Sequence, residues 1–105
     1  MTGSIDFGRV NRAALVALPV LLGRWLPGGR AEGTEYVARN PRRADDRPGS
    51  FKINMRTGRW ADFATGDRGG DPVSLVAFLA GTGQAEAARR LAAMLELSVG
   101  NHARR

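Results

Sequence analysis

The sequence has no cysteine among its 105 residues and a single histidine, His102. The first absence excludes disulfides and every thiolate metal site, and together they leave no ordinary ligand set for a structural zinc. Lysine is nearly missing too: Lys52 is the only one of the sixteen cationic side chains that is not arginine. No apolar run reaches the roughly 18 residues that a transmembrane helix needs. The start, Met1-Thr2-Gly3-Ser4-Ile5-Asp6, has neither the basic segment nor the apolar stretch of a signal peptide, so a cytoplasmic location is expected. Nucleophilic catalysis lacks its parts as well, with no cysteine, no histidine in a plausible core and no Ser-x-x-Lys arrangement. The chain is expected to be no enzyme, with no catalytic residues, metal or cofactor.

What is present describes a globular chain: 43% hydrophobic and 25% charged residues, a length that suits one core, and a net charge of +6. A basic domain of this size is drawn to polyanions, so DNA or RNA is the first partner class and an acidic protein surface the second. The chain runs from an apolar N-terminal third through a basic, aromatic middle to an alanine-rich C-terminal third.

Asn11 reads as the cap of a helix through Ala13-Ala14-Leu15-Val16-Ala17-Leu18. Pro19 then starts a second helix carrying Val20, Leu21, Leu22, Trp25 and Leu26, which Pro27-Gly28-Gly29 stops. Two short helices joined at Pro19 are therefore expected, with residues 1–10 flexible. Glu35-Tyr36-Val37-Ala38-Arg39 reads as a strand, and Arg42 to Gly49 as a charged loop. Ser50 to Met55 alternates strictly, Phe51, Ile53 and Met55 to one side and Lys52 and Asn54 to the other. Arg56-Thr57-Gly58 turns the chain, and Arg59 to Phe63 returns as the hairpin partner. Gly66 to Gly70 reads as a turn, and Asp71-Pro72 as the cap and first position of a helix ending at Gly81. A last helix spans Gln84 to about Leu97, with Glu86 and Arg90 as an i,i+4 pair. Residues 98–105 are expected to form a flexible tail after a single domain over 11–97.

The middle of the chain carries, in order, Asn40-Pro41-Arg42-Arg43, Asp45-Asp46-Arg47-Pro48-Gly49-Ser50-Phe51, Trp60-Ala61-Asp62-Phe63-Ala64-Thr65 and Gly69-Gly70-Asp71-Pro72-Val73, and this order resembles the zinc ribbon at the front of bacterial, phage and plasmid DNA primases. The order there is Cys-Pro-x-His, an acidic loop ending in Pro-Ser-Phe, a hairpin closing on an aromatic residue before Cys-x-x-Cys, then Gly-Gly-Asp opening an apolar helix. The framework matches and the ligands do not: Asn40, Arg43, Asp62 and Thr65 stand at the four metal positions. The resemblance implies an α+β fold, a small antiparallel β-sheet with a zinc-ribbon-like hairpin lacking zinc, flanked by N-terminal and C-terminal helices. Across the emptied position Asp62 is expected to pair with Arg43.

The resemblance further implies contact with single-stranded DNA in replication or priming of a plasmid, phage or other mobile element. Such contact needs cations along the phosphates and aromatic faces for bases. The cations available are Arg39, Arg42, Arg43, Arg47, Lys52, Arg56 and Arg59. Of the aromatics Tyr36, Phe51, Trp60 and Phe63, Phe51 reads as core, while Tyr36 and Trp60 are the stacking candidates. Gly66-Asp67-Arg68-Gly69-Gly70-Asp71 is no phosphate loop, since it lacks the P-loop lysine and Ser/Thr and its aspartates repel phosphate. Asp45, Asp46, Asp62, Asp67 and Asp71 fall in turns and caps, where aspartate bonds its own backbone. The rival reading is a protein-interaction module docking on a replication polymerase, primase or helicase. A carboxylate-bound metal enzyme is a third.

Overall fold

The structure, a computed structural model, describes residues 5–42 and 49–96. Helix α1 (Phe7–Trp25) starts where Asp6 accepts a hydrogen bond from the Arg9 N–H at 3.0 Å, so Asp6 is the N-cap. Residues 7–10, expected to be flexible, are thus helical, and Val10 is buried. Asn11, the expected cap, lies inside the helix and serves a different one. Its Oδ1 accepts from the Val73 N–H at 2.9 Å, satisfying a backbone donor in the first turn of α2 (Pro72–Ala80), which has no partner within its own helix.

The expected break at Pro19 does not occur, and α1 runs through it as one helix. A proline in a helix interior costs about 3 kcal/mol. Here it sits on the exposed side, while Val10, Ala14, Leu18, Leu21 and Leu22 form a continuous buried stripe. Each large member of that stripe contributes roughly 1.5–3 kcal/mol when buried, so the packing outweighs the lost hydrogen bond. Tertiary burial, invisible to a local propensity argument, decides the outcome.

The middle third forms a five-stranded antiparallel sheet in sequential order: β1 (Arg30–Glu32), β2 (Glu35–Ala38), β3 (Phe51–Asn54), β4 (Trp60–Asp62) and β5 (Arg68–Gly69). The β3–β4 hairpin and β2 agree with the alternation in the sequence. The two edge strands were not expected, because they are only three and two residues long and lie among glycines. At Gly69 a Cβ would come within 2.4 Å of both Trp60 Nε1 and Ser74 Oγ, so only glycine lets β5 close on β4 there.

One face of the sheet is covered. Tyr36, Ala38, Phe51, Ile53 and Trp60 pack against Leu18 and Leu22 of α1, its C-cap Leu26, and Leu75 of α2. Phe51, Trp60 and Phe78 form a ring cluster with centroid separations of 4.9–6.1 Å. A second core joins the helices, Val10, Ala14 and Leu21 of α1 against Val73, Val76 and Ala77 of α2 and Ala87, Ala88, Leu91 and Ala92 of α3 (Gln84–Met94). Helix α2 has the expected ends. Asp71 and Ser74 form a capping box, Pro72 opens the first turn, and Gly81 closes the helix in the left-handed conformation at φ 69°. Glu86 and Arg90 pair at 3.1 Å, and α3 ends at a Leu95 cap, short of the expected Leu97. Among the described residues no helix is long and apolar enough to cross a membrane.

Replacing Pro19 with alanine restores an N–H to the helix interior on an exposed face and is expected to stabilise the chain by about 1–2 kcal/mol. Thermal or urea denaturation checks this. A lowered midpoint would mean that the proline's own geometry is needed to seat α1 on both cores.

Candidate nucleic-acid interface

Two side chains at positions where the sequence resemblance aligns metal ligands join the turns that follow β2 and β4. Asn40 and Asp62 are both buried, at 1% and 0% exposure. The Asn40 Nδ2 donates to Asp62 Oδ2 at 2.8 Å. Each also organises its own turn: Asn40 Oδ1 accepts from the Arg42 N–H and Asp62 Oδ1 from the Ala64 N–H, both at 2.8 Å. The two turns thus have the same local form, an Asx side chain closing on the amide two residues ahead, and a hydrogen bond joins them. The Asp62 backbone carbonyl adds bonds from the Thr65 and Gly66 amides at 3.3 and 2.8 Å. The expected Asp62–Arg43 pair involves a residue outside those described. Thr65, which the resemblance sets at the fourth ligand position, is exposed and donates to Asp67.

These residues do not fit zinc. Both polar atoms of the Asn40 side chain are committed to protein partners, and no group of three His, Cys, Asp or Glu able to hold an ion exists among the described residues.

The sheet's other face is the candidate surface. Register aligns Arg30, Val37, Lys52, Ala61 and Arg68 in one row across all five strands, a row about 19 Å long at a strand spacing near 4.8 Å. The next row holds Glu32, Glu35 and Asn54, with Arg59 joined to Asn54 by a backbone bond of 2.7 Å. On the other side the Phe63 N–H bonds the Ser50 carbonyl, extending the β3–β4 ladder by a step and turning Phe63 outward with Ala61. Phe63 is 71% exposed, and the Lys52 ammonium lies 5.9 Å from its ring centroid. Glu35, Lys52, Asn54, Arg59, Phe63 and Arg68 line one shallow groove over this face.

Of the residues expected to bind, Lys52 and Arg59 line this groove. Arg39, exposed between buried Ala38 and Asn40, extends the same side. Arg56 is exposed at the tip of the β3–β4 turn. Arg42 is directed elsewhere: its guanidinium lies 5.9 Å from the Phe78 ring centroid and beside Gly81, at the C-terminus of α2, where a cation suits the helix dipole. Arg43 and Arg47 lie outside the described residues.

The two stacking candidates require correction. Tyr36 is buried with its hydroxyl donating to the Leu26 carbonyl at 2.8 Å, and Trp60 is buried with Nε1 donating to Ser74 Oγ at 2.9 Å. Both face the helices because their tips find polar partners there, so neither ring offers a face to a base. On this face, among the described residues, the exposed ring is Phe63. Period-two alternation carries the signal for it, because once Trp60 points inward Phe63, three residues on, must point outward. Arg68 gave no such signal, since its strand is two residues long.

The fold is shared with the zinc-binding domain of a primase. The crystal structure of the Aquifex aeolicus primase, comprising zinc binding and RNA polymerase domains, superposes with a TM-score of 0.69 at 22% sequence identity. The match covers 93% of this chain and 23% of that one, so this chain spans about a quarter of its length. No protein-family model matches the sequence, and no curated protein does.

Asp62→Ala leaves the buried Asn40 amide and the Ala64 N–H without their acceptor and is expected to destabilise the chain by about 2–4 kcal/mol. A chelator is expected to leave the unfolding midpoint unchanged. Urea denaturation of both proteins, with and without EDTA, tests both statements.

Proposed function

We propose that this chain is a non-catalytic module that binds single-stranded DNA on the outward face of its sheet, acting in replication or priming. The observation that carries the reading is Phe63, a large exposed ring flanked by Lys52 in a groove that also holds Arg59 and Arg68. An unstacked base has a free π-face for such a ring, whereas in duplex DNA those faces are covered, so the surface favours single strands. The cations supply the phosphate contacts. The fold shared with a primase zinc-binding domain supports DNA as the polymer. The chemistry of priming then belongs to a polymerase, primase or helicase that works with this module. A plasmid, phage or other mobile element is the setting that the sequence resemblance favours.

A protein-docking role has one observation in its favour. Val16 and Val20, one helical turn apart on α1, are 87% and 62% exposed. A concentration-dependent mass in sedimentation, with no DNA binding at low salt, would favour that role over the first.

Fluorescence anisotropy with labelled single-stranded and duplex DNA across salt concentrations is the direct test. Single-strand binding is expected to weaken with salt at a log–log slope near −0.7 per phosphate contact. Phe63→Ala is expected to cost about 1–3 kcal/mol of affinity, roughly 5- to 150-fold, without lowering stability. Equal affinity of Phe63→Ala and the unaltered chain would remove the stacking surface from the reading.

A further inference from the structure

The groove contains one feature that phosphate binding does not call for. Glu35, half-buried, is the only carboxylate among its lining residues, beside Lys52, Arg59 and Arg68. It makes no ion pair with them among the described residues. Its cross-strand neighbour on β1 is Glu32, and carboxylates directly opposite one another destabilise a sheet. Glu32 is relieved by Arg30 at 2.7 Å, which leaves Glu35 with its acceptor capacity unspent. A free carboxylate on a phosphate track weakens binding unless it reads something other than phosphate.

Its partner on the opposite side supplies the complement. Asn54 stands directly across from Glu35 in the β2–β3 register. The Asn54 Oδ1 accepts from the Arg56 and Thr57 amides at 2.8 and 3.1 Å, so the turn holds this side chain with its NH2 group left as the available end. Within one cross-strand pair, about 5 Å between Cβ atoms, the groove therefore presents an amide donor beside a carboxylate with two acceptors.

We infer that Glu35 and Asn54 form a base-reading site, specific for guanine, within the single-strand-binding surface; this rests on the reading of that surface given above. The Watson–Crick edge of an unpaired guanine presents the O6 acceptor, then the N1–H and N2–H donors. The donor of Asn54 suits O6, and the two carboxylate oxygens of Glu35 accept the two N–H groups. Thymine presents acceptors on both sides of its single N–H, so one carboxylate oxygen would face O2. The site is distinct from the stacking position. Phe63 aligns with Ser50 and Asn54 with Arg59, four residues apart along the strands, or roughly 13 Å. The base read at Glu35 is therefore a different nucleotide from the one stacked on Phe63.

The test is anisotropy with three labelled 9-mers: all thymidine, the same with one central guanine, and the same with one central inosine, which lacks the 2-amino group. The unaltered chain is expected to bind the guanine oligomer at least about fivefold more tightly than the thymidine one, with inosine between them. Glu35→Gln is expected to abolish the guanine preference, and Glu35→Ala to raise affinity for the all-thymidine oligomer by removing a like charge from the phosphate track. Equal binding of the guanine and thymidine oligomers by the unaltered chain would overturn the base-reading site and leave the single-strand reading intact. A guanine preference that persists in Glu35→Gln would overturn the assignment to Glu35. Failure to bind any of the three would overturn both readings.

Discussion

The buried hydrogen bond between Asn40 and Asp62 joins the turns that follow β2 and β4, 22 residues apart in the chain. A metal at such a point draws several charged or polar ligands together and contributes on the order of 10 kcal/mol of folding free energy. One buried hydrogen bond contributes far less, about 1 kcal/mol net. Removing either partner is nonetheless costly, because a buried polar atom of the other loses this hydrogen bond without gaining water in its place. The pair thus specifies which turns meet more than it stabilises the fold. The stability comes from the helices, with α1 buried along one stripe against both the sheet and the α2–α3 pair.

That arrangement also determines which face of the sheet is free. The helices cover the side carrying Phe51, Ile53 and Trp60, and Tyr36 and Trp60 reach polar partners in or beside that core. Among the described residues, the outward side keeps Lys52, Arg59 and Arg68, the exposed ring of Phe63 and the carboxylate of Glu35. A surface of this kind can hold a flexible polyanion by its backbone while leaving the bases accessible. The same alternation that builds the core therefore builds the candidate site, since each strand residue removed from one face is delivered to the other.

Several elements were legible from local pattern alone. The β3–β4 hairpin, the Asp71-Pro72 start of α2 and its Gly81 end each follow from residue types whose preferences act over two to four positions. The resemblance to a primase ribbon was legible in the spacing of Asn40-Pro41, Ser50-Phe51 and Gly69-Gly70-Asp71, and the shared fold agrees with it. The continuous α1 was not legible, because Pro19 argues locally for a break and only burial of Leu18, Leu21 and Leu22 overrules it. The short strands β1 and β5 were not legible either, since two or three residues carry no measurable period. Tyr36 and Trp60 look like surface residues in the sequence because a basic, aromatic segment resembles a binding patch until the direction of each side chain is known.

By itself the sequence determined the charge, the absence of thiolate ligands, the hairpin and the ends of α2, because composition and short-range backbone preference do not depend on distant residues. Only the tertiary structure decided that Asn11 caps a helix 62 residues away, that Asn40 meets Asp62, and that Phe63 rather than Trp60 faces solvent. Each of these is a contact or a direction set by packing between segments far apart in the chain: alternation puts Trp60 and Phe63 on opposite faces, and only that packing decides which face is covered.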